Sequence, residues 1–431
     1  MRWIPGVPLL VFVLGGCSVM DPVGAWRPME KDAGSLVDAG EAPDAGEAPD
    51  AGGVPDAGGS NARLDFCARP GPLWLLNDPA GSSEICGARL AFAAFEHGVS
   101  TCLDLEANAR LTVDTLGQTG GTSAPVRVTR QLLINARMSV AGPLTVASTD
   151  GIELGGSLDV NGELRTAGSL LRSVTSASMP SDVTVGASAY IGGDVRLRSL
   201  SIPAGGALNL PSGKVLAVDG GSFQVNRGPV PQIAPSWACA ALAEVDDVEN
   251  LVANHASLNH NALRDPLPPL SPEALVDFSG DAPTVELPCG RFYLAAIRGT
   301  GLARIQVRGR AALFVGGDVD VGRLEISLDA GAELDLFITG GLLARQRLAL
   351  GDPAEPWRLR VYVGGDFSEL PPDNALAGQF FAPRARLSQS PDVDLRGALL
   401  VESLISSGNL GVHYDPRVRE LVNACVTPPR D

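Results

Sequence analysis

Between residues 105 and 222, apolar side chains recur at every second position in short runs closed by Gly, Asn, Asp or Ser. Val126-Arg127-Val128, Leu132-Leu133-Ile134, Leu144-Thr145-Val146, Ile152-Glu153-Leu154, Leu158-Asp159-Val160, Val183-Thr184-Val185 and Val195-Arg196-Leu197 are of this kind. The alternation predicts half-buried strands. No helix-length periodic stretch lies between them, which argues against a doubly wound α/β fold. From Arg291 the corners become regular: Gly316-Gly317, Gly340-Gly341 and Gly364-Gly365 stand 24 residues apart, each ending a short apolar run. Such a period predicts one small unit stacked on its copies. Short strands with Gly-rich corners predict an all-β chain, a single-stranded parallel β-helix, with an antiparallel sandwich as the alternative.

Reading down the 24-residue register stacks Val315, Thr339 and Val363, then Leu313, Phe337 and Val361, then Val319, Leu343 and Phe367. With Val315 and its column inward, Phe314, Ile338 and Tyr362 point outward as an apolar stripe. They are a candidate partner surface, or the seat of a covering helix. That helix is expected from Ser236 to about Asn261, inside a Pro-rich insertion at 223–290. The first part of the coil is placed at 105–222 and the second at 291–415. Residues 61–104 form an N-terminal Cys-rich cap and 416–431 a C-terminal cap or tail. Taken in sequence order as one linear rod, the two parts predict about five turns each and a length of roughly 48 Å.

The first sixty residues read as processing and tether. Arg2 precedes the apolar run Ile4–Leu14, too short to span a bilayer, and Leu14-Gly15-Gly16-Cys17 follows. The small residues before Cys17 resemble a bacterial lipobox, with residues 1–16 as signal peptide and Cys17 as the lipidated N-terminus. Residues 17–60 carry Asp-Ala-Gly beginning at 32, 38, 44, 50 and 56, with nine acids against two bases from residue 21 on. One carboxylate per six flexible residues builds no metal cage; the stretch is a charged, solvated spacer. The net charge of −16 excludes nucleic acid as a partner.

Beyond Cys17 stand Cys67, Cys86, Cys102, Cys239, Cys289 and Cys425, an even number that suggests disulfides in an exported chain. Cys239 and Cys289 bracket the insertion and are the expected pair; the partners of the other four stay open. Cys425 is expected not to reach the N-terminal cap of a linear rod.

Gly378-Gln379-Phe380-Phe381-Ala382-Pro383, the run Asp394 to Val401, Ser407-Gly408-Asn409 and Val412-His413-Tyr414-Asp415 resemble the closing turns of a domain family of unknown function. That family occurs in bacterial cell-surface and pilus-associated proteins, notably myxobacterial lipoproteins. Asn254-His255-Ala256, Asn259-His260-Asn261 and Pro288 to Leu294 extend the likeness into the insertion. The resemblance implies a right-handed parallel β-helix on an exported lipoprotein, and no reaction.

Candidate chemistry is sparse. Asp194, Asp318 and Asp366 each follow a Gly-Gly pair, but Leu342 falls between Asp318 and Asp366 in the register. Corner-forming aspartates are expected instead of a calcium ladder. His255 and His260 lie about 140° apart on a helix, unlike an i, i+4 metal pair. His413-Tyr414-Asp415 is expected to be a hydrogen-bonded terminal turn. No catalytic residue, metal or cofactor is assigned. The expectation is a structural or adhesive element, not an enzyme, anchored in the outer membrane through Cys17 and facing the periplasm or the cell surface. Envelope polysaccharide or a surface protein is its expected partner. The alternatives are a calcium-dependent polysaccharide-degrading β-helix and an end-to-end polymer-forming scaffold.

Overall fold

Strands of three to five residues, as in most of the first part, leave little room for anything but stacking, and the computed structural model is a parallel β-helix of about 13 turns. It describes residues 60–68, 94–117, 123–173, 181–234, 239 and 243–420, all within the compact unit Pro55–Asp431. Each turn has three faces, set out at Val99–Thr101, Leu105–Ala107 and Leu111–Thr115. The next turn repeats them at Val126–Val128, Gln131–Ile134 and Arg137–Val140. Every stacked pair is parallel, so the backbone hydrogen bonds run along the axis. The alternating runs of the first part are strands with their apolar positions inward, as Val126–Val128 and Leu144–Val146 show.

The inward residues of the first face form one column: Phe292, Leu313, Leu336, Val361, Phe380, Leu399, Val99, Val126, Leu144, Leu164, Ala189, Leu208, Val225. Its order corrects the linear rod. The second part of the chain comes first along the axis, and its last turns stack on the first turns of the first part. At this seam Leu399 pairs with Val99, Leu404 with Leu105 and Leu410 with Leu111. Coil strands extend from Val99 to Arg227 and from Val276 to Tyr414, beginning earlier than 105 and 291 and, in the first part, ending later than 222. The physical reason is that a strand edge selects only a complementary edge. The exposed edge of Val393–Ser406 is satisfied as well by a distant segment as by the next one in sequence.

Because the first part ends at the far tip, the chain must travel back along the whole coil. Arg127 donates to the Ala234 carbonyl, Cys239 is bonded to Cys102, and Arg384 pairs with Glu249 at 3.2 Å. Helix α2, Ala243–His255, then lies along the first face of the second part and ends at His255, before the expected 261.

The cap is also displaced from its expected place. Helix α1, Ser60–Ala68, sits on the second part: Phe66 is buried beneath the guanidinium groups of Arg291 and Arg310, 5.2 and 4.2 Å from its ring centre. Phe95 packs on Tyr362 with ring centres 5.9 Å apart. Among the described residues of 61–104, α1 and Phe95 thus flank the second part, while Val99–Thr101 enters the coil as a strand. The register differs too, since Val315 pairs with Ile338 and Ile338 with Val363. The Gly-Gly corners keep their 24-residue period while Thr339 is taken into the corner, so the strands step by 23 and then 25 residues.

Candidate functional site

Three first-face strands of the second part, Arg310–Val315, Glu333–Ile338 and Leu359–Val363, are buried on both sides. Leu359–Val363 is buried at all five positions, where a one-sided strand would alternate. Outward from it runs an aromatic ladder: Phe314, Phe337 and Tyr362 stack at 5.2 and 4.7 Å between ring centres, and Phe381 follows at 6.1 Å. His255 at the end of α2 stacks on Phe314 at 3.9 Å. This corrects the candidate partner surface. Phe314 and Tyr362 are outward but fully covered, and Ile338 belongs to the inward column beside Val315. Beside the ladder the buried Arg360 bonds Asp335 at 2.5 Å and Glu333 at 3.0 Å. Burial opposes its charge, but Asp335 and then Glu333 outweigh it and raise the Arg360 pKa. The column is core, fixed in register by a buried ion pair.

Among the described residues the disulfides are Cys67–Cys289 and Cys102–Cys239, so the expected Cys239–Cys289 pair is wrong. Cys102 lies at the seam and Cys289 at the first turn. Six turns, or about 29 Å, separate them, whereas bridged cysteines need Cα atoms within about 7 Å. The return segment is clipped at both positions, each time to the N-terminal stretch. Cys17, Cys86 and Cys425 lie outside the described residues.

His260 and Asn261 close the first turn of the coil. The His260 N–H donates to the Arg291 carbonyl at 2.7 Å, and the Arg291 N–H donates to His260 Nδ1 at 3.0 Å. Asn261 exchanges two further bonds with the backbone of Tyr293, at 2.8 and 2.9 Å. Arg264 adds a bond to the Glu286 carbonyl at 2.6 Å. Side chains thereby satisfy an edge that would otherwise face solvent. Burial lowers the pKa of His260 to about 4, with Arg63 adding to the effect. His255, buried and bonded through Nδ1 to the Leu251 carbonyl at 2.8 Å, is likewise lowered by burial to about 4.

At the seam His413 lies between Asp114 on one turn and Asp394 on the other, each at 2.5 Å. Tyr414 donates to the Phe95 carbonyl at 2.8 Å, and Arg417 pairs with Asp415 at 2.8 Å. The three residues fasten the junction. The corner aspartates accept backbone N–H groups from the following turn, Gly341 to Asp318 at 2.9 Å and Val215 to Asp194 at 3.0 Å. Asp366 contributes its carbonyl, to Leu342 at 2.9 Å. Among the described residues no three His, Cys, Asp or Glu side chains converge as metal ligands.

Two shallow grooves open on the second face. One of about 500 Å³ is lined by Asp277, Arg298, Thr300, Asp320, Arg345 and Gln346. The other, about 420 Å³, lies at the seam between Asp104, Glu106, Arg130, Arg386 and Ile405. Their charges are largely committed to pairs, Arg345 with Asp320 at 2.6 Å, Arg386 with Glu402 at 2.5 Å, and Arg130 with Asp104. Sequence reasoning did not find them, because each joins residues from turns that are distant or out of step in the chain.

The first and last turns differ. At the Phe292 end His260 and Asn261 take up the first-face edge and Arg264 bonds Glu286 on the third, while Val276–Phe278 and Val285–Leu287 are paired on one edge only among the described residues. At the other end Leu216–Ser222 and Val225–Arg227 are paired on one edge only among the described residues. Val215 and Val225 are 42% and 38% exposed there.

The class defined is a three-faced parallel β-helix in which two sequence halves stack in reversed order, with the first-face edge taken up by side chains at one end and left unpaired at the other among the described residues. The model of a family described as a domain of unknown function (DUF7305) matches residues 240–421. That stretch is the return helix, the Phe292 end and the turns up to the seam, and over it the chain is similar to that family. No curated protein and no solved structure matches the chain.

Proposed function

We propose that this chain is an exported bacterial lipoprotein of the myxobacterial type, anchored in the outer membrane through Cys17. In this reading it is a structural or adhesive element without catalysis. It presents the β-helix to the periplasm or the cell surface, where envelope polysaccharide or a surface protein meets it. The observation that carries the reading is polarity. Helix α1, the first described element after the Asp-Ala-Gly spacer, is clipped by Cys67–Cys289 to the Phe292 end of the coil. The open end lies about twelve turns away, on the order of 58 Å. A rod held at its Phe292 end offers its open end outward, and two lipid signals at Cys17 are enough to hold it on a bilayer.

Labelling cells with a palmitate analogue tests the anchor: the chain takes up label and Cys17→Ser does not. Label on Cys17→Ser, or none on the wild type, defeats the anchor. Absence of catalysis is tested on anionic polysaccharides with and without a chelator. Calcium-dependent release of unsaturated sugar ends would replace this reading with the lyase.

A further inference from the structure

The inward column of the first face ends on Val225, which is 38% exposed, whereas Phe292 at its other end is fully buried. Arg291 and Tyr293 have their outward backbone groups taken up by His260 and Asn261. At the open tip, Leu216–Ser222 and Val225–Arg227 have no strand beyond them among the described residues. An unpaired edge above an apolar core is a template for another strand. A second copy adding head to tail would have to use an end whose first-face edge is already taken up by His260 and Asn261 and whose third-face edge is bonded by Arg264, beside the short, irregular strand Val276–Phe278. Tip to tip it meets an edge unpaired on all three faces among the described residues, through the same surface on both copies.

Charge selects the arrangement. The corner before Leu216 carries Lys214 and Arg227, whose Nη1 donates to the Lys214 carbonyl at 2.8 Å. The corner after Val218 carries Asp219. A two-fold axis can cross the tip through any of its three strands. Through Gly221 it sets Lys214 and Arg227 against themselves, and through Asn226 it sets Asp219 against itself. Through Ala217 it brings Lys214 and Arg227 of each copy to Asp219 of the other.

We propose that the open end is a homophilic contact, in which two copies meet tip to tip about an axis through Ala217. Strands of three to seven residues make it small, below about 1,200 Å² in total, so a single pair is weak and many copies on a surface act together. The contact stands on the coil alone. Its bridging of two membranes rests on the anchor proposed above, which puts the tethers at the far ends of the paired rods.

Sedimentation equilibrium of the mature, lipidated chain in detergent is the test. Wild type is expected to dimerise reversibly with rising concentration. Lys214→Asp and Asp219→Lys each weaken the dimer at least tenfold, as like charges then meet, and the double variant returns to within about threefold of wild type. Both substituted positions are solvent-exposed, so unchanged thermal melts are expected to accompany these shifts. A monomer at every concentration up to roughly 1 mM, filaments, unweakened single variants, or a double variant no better than the singles each overturns the contact. The same proteins inserted into phosphatidylcholine vesicles are expected to cluster them. Dimers in detergent without clustered vesicles support the contact and overturn the anchor reading.

Discussion

Gly397 has φ +132°, and a Cβ there would stand 1.8 Å from the Gly378 carbonyl oxygen of the preceding turn. Backbone at that distance cannot give way as a flexible side chain can, so Gly397→Ala is expected to cost about 3 kcal/mol or more. Gly117, at φ +69° with nothing within 4 Å of an added Cβ, isolates the conformational part, about 1–2 kcal/mol. Chemical denaturation of both variants checks the difference, and equal losses would show that the close approach costs nothing. The histidines respond to pH in a defined direction. Burial lowers His255 and His260 from 6.5 to about 4, so the unfolded chain binds protons more readily than the folded one. Their stabilisation is complete above about pH 6.5, declines as pH falls and is gone below about 4; for His255 it is on the order of 3 kcal/mol. His260 has a further reason, since protonating Nδ1 removes the acceptor for the Arg291 N–H. Melting temperatures from pH 7 to 4 are expected to fall less steeply in His255→Phe, which keeps the stack on Phe314. An unchanged slope would assign the acid sensitivity to other groups.

At the scale of elements, the short strands of the first part were legible because each buries one side, and alternation is the direct signature of that state. The second part was less so. Leu359–Val363 and Arg310–Val315 are buried on both sides by α2 and the N-terminal stretch, which replaces alternation with continuous apolar runs. Gly-Gly spacing located the corners but not the register, since a corner absorbs Thr339 without disturbing the glycines. The aromatic ladder was visible as residues, and of its two readings, partner surface or seat of a covering helix, the second holds at Phe314 beneath His255; at Tyr362 the cover comes from Phe95, far away in sequence. Disulfides record that cover covalently. Peptide mapping of the oxidised chain is expected to yield Cys67 linked to Cys289 and Cys102 linked to Cys239. A Cys239–Cys289 peptide would contradict the return path. Cys102→Ser/Cys239→Ser opens a link across 137 residues and is expected to lower stability by about 2–5 kcal/mol. It also speeds proteolytic cutting between residues 228 and 242, where the segment then crosses the coil with one clip fewer.

For the whole molecule the seam decides everything else. Strand pairing within one part follows sequence order and is favoured by short loop closure. Pairing at the seam joins residues such as Leu105 and Leu404 across almost the length of the coil. No local pattern distinguishes these two kinds of neighbour, because both present the same parallel edge and the same inward apolar residue. Two features compensate for the long closure. His413 spans both sides of the seam between Asp114 and Asp394, and the Cys102–Cys239 bond holds the first turn of the first part to the returning chain. The order has a consequence that no sequential rod shares. Arg227 and Gly290, separated by the return segment alone, lie at opposite ends, twelve turns or about 58 Å apart, whereas Glu106 and Ile405 are paired neighbours. Spin labels or dyes on exposed positions at 227 and 308 are therefore expected to lie roughly 50–60 Å apart, and a pair at 106 and 405 within about 10 Å. A sequential rod reverses both results, bringing 227 close to 308 and sending 405 to the end farthest from 106. Each outcome separates the two orders without reference to function, and short distances for the first pair would dissolve both the seam and the open tip built on it.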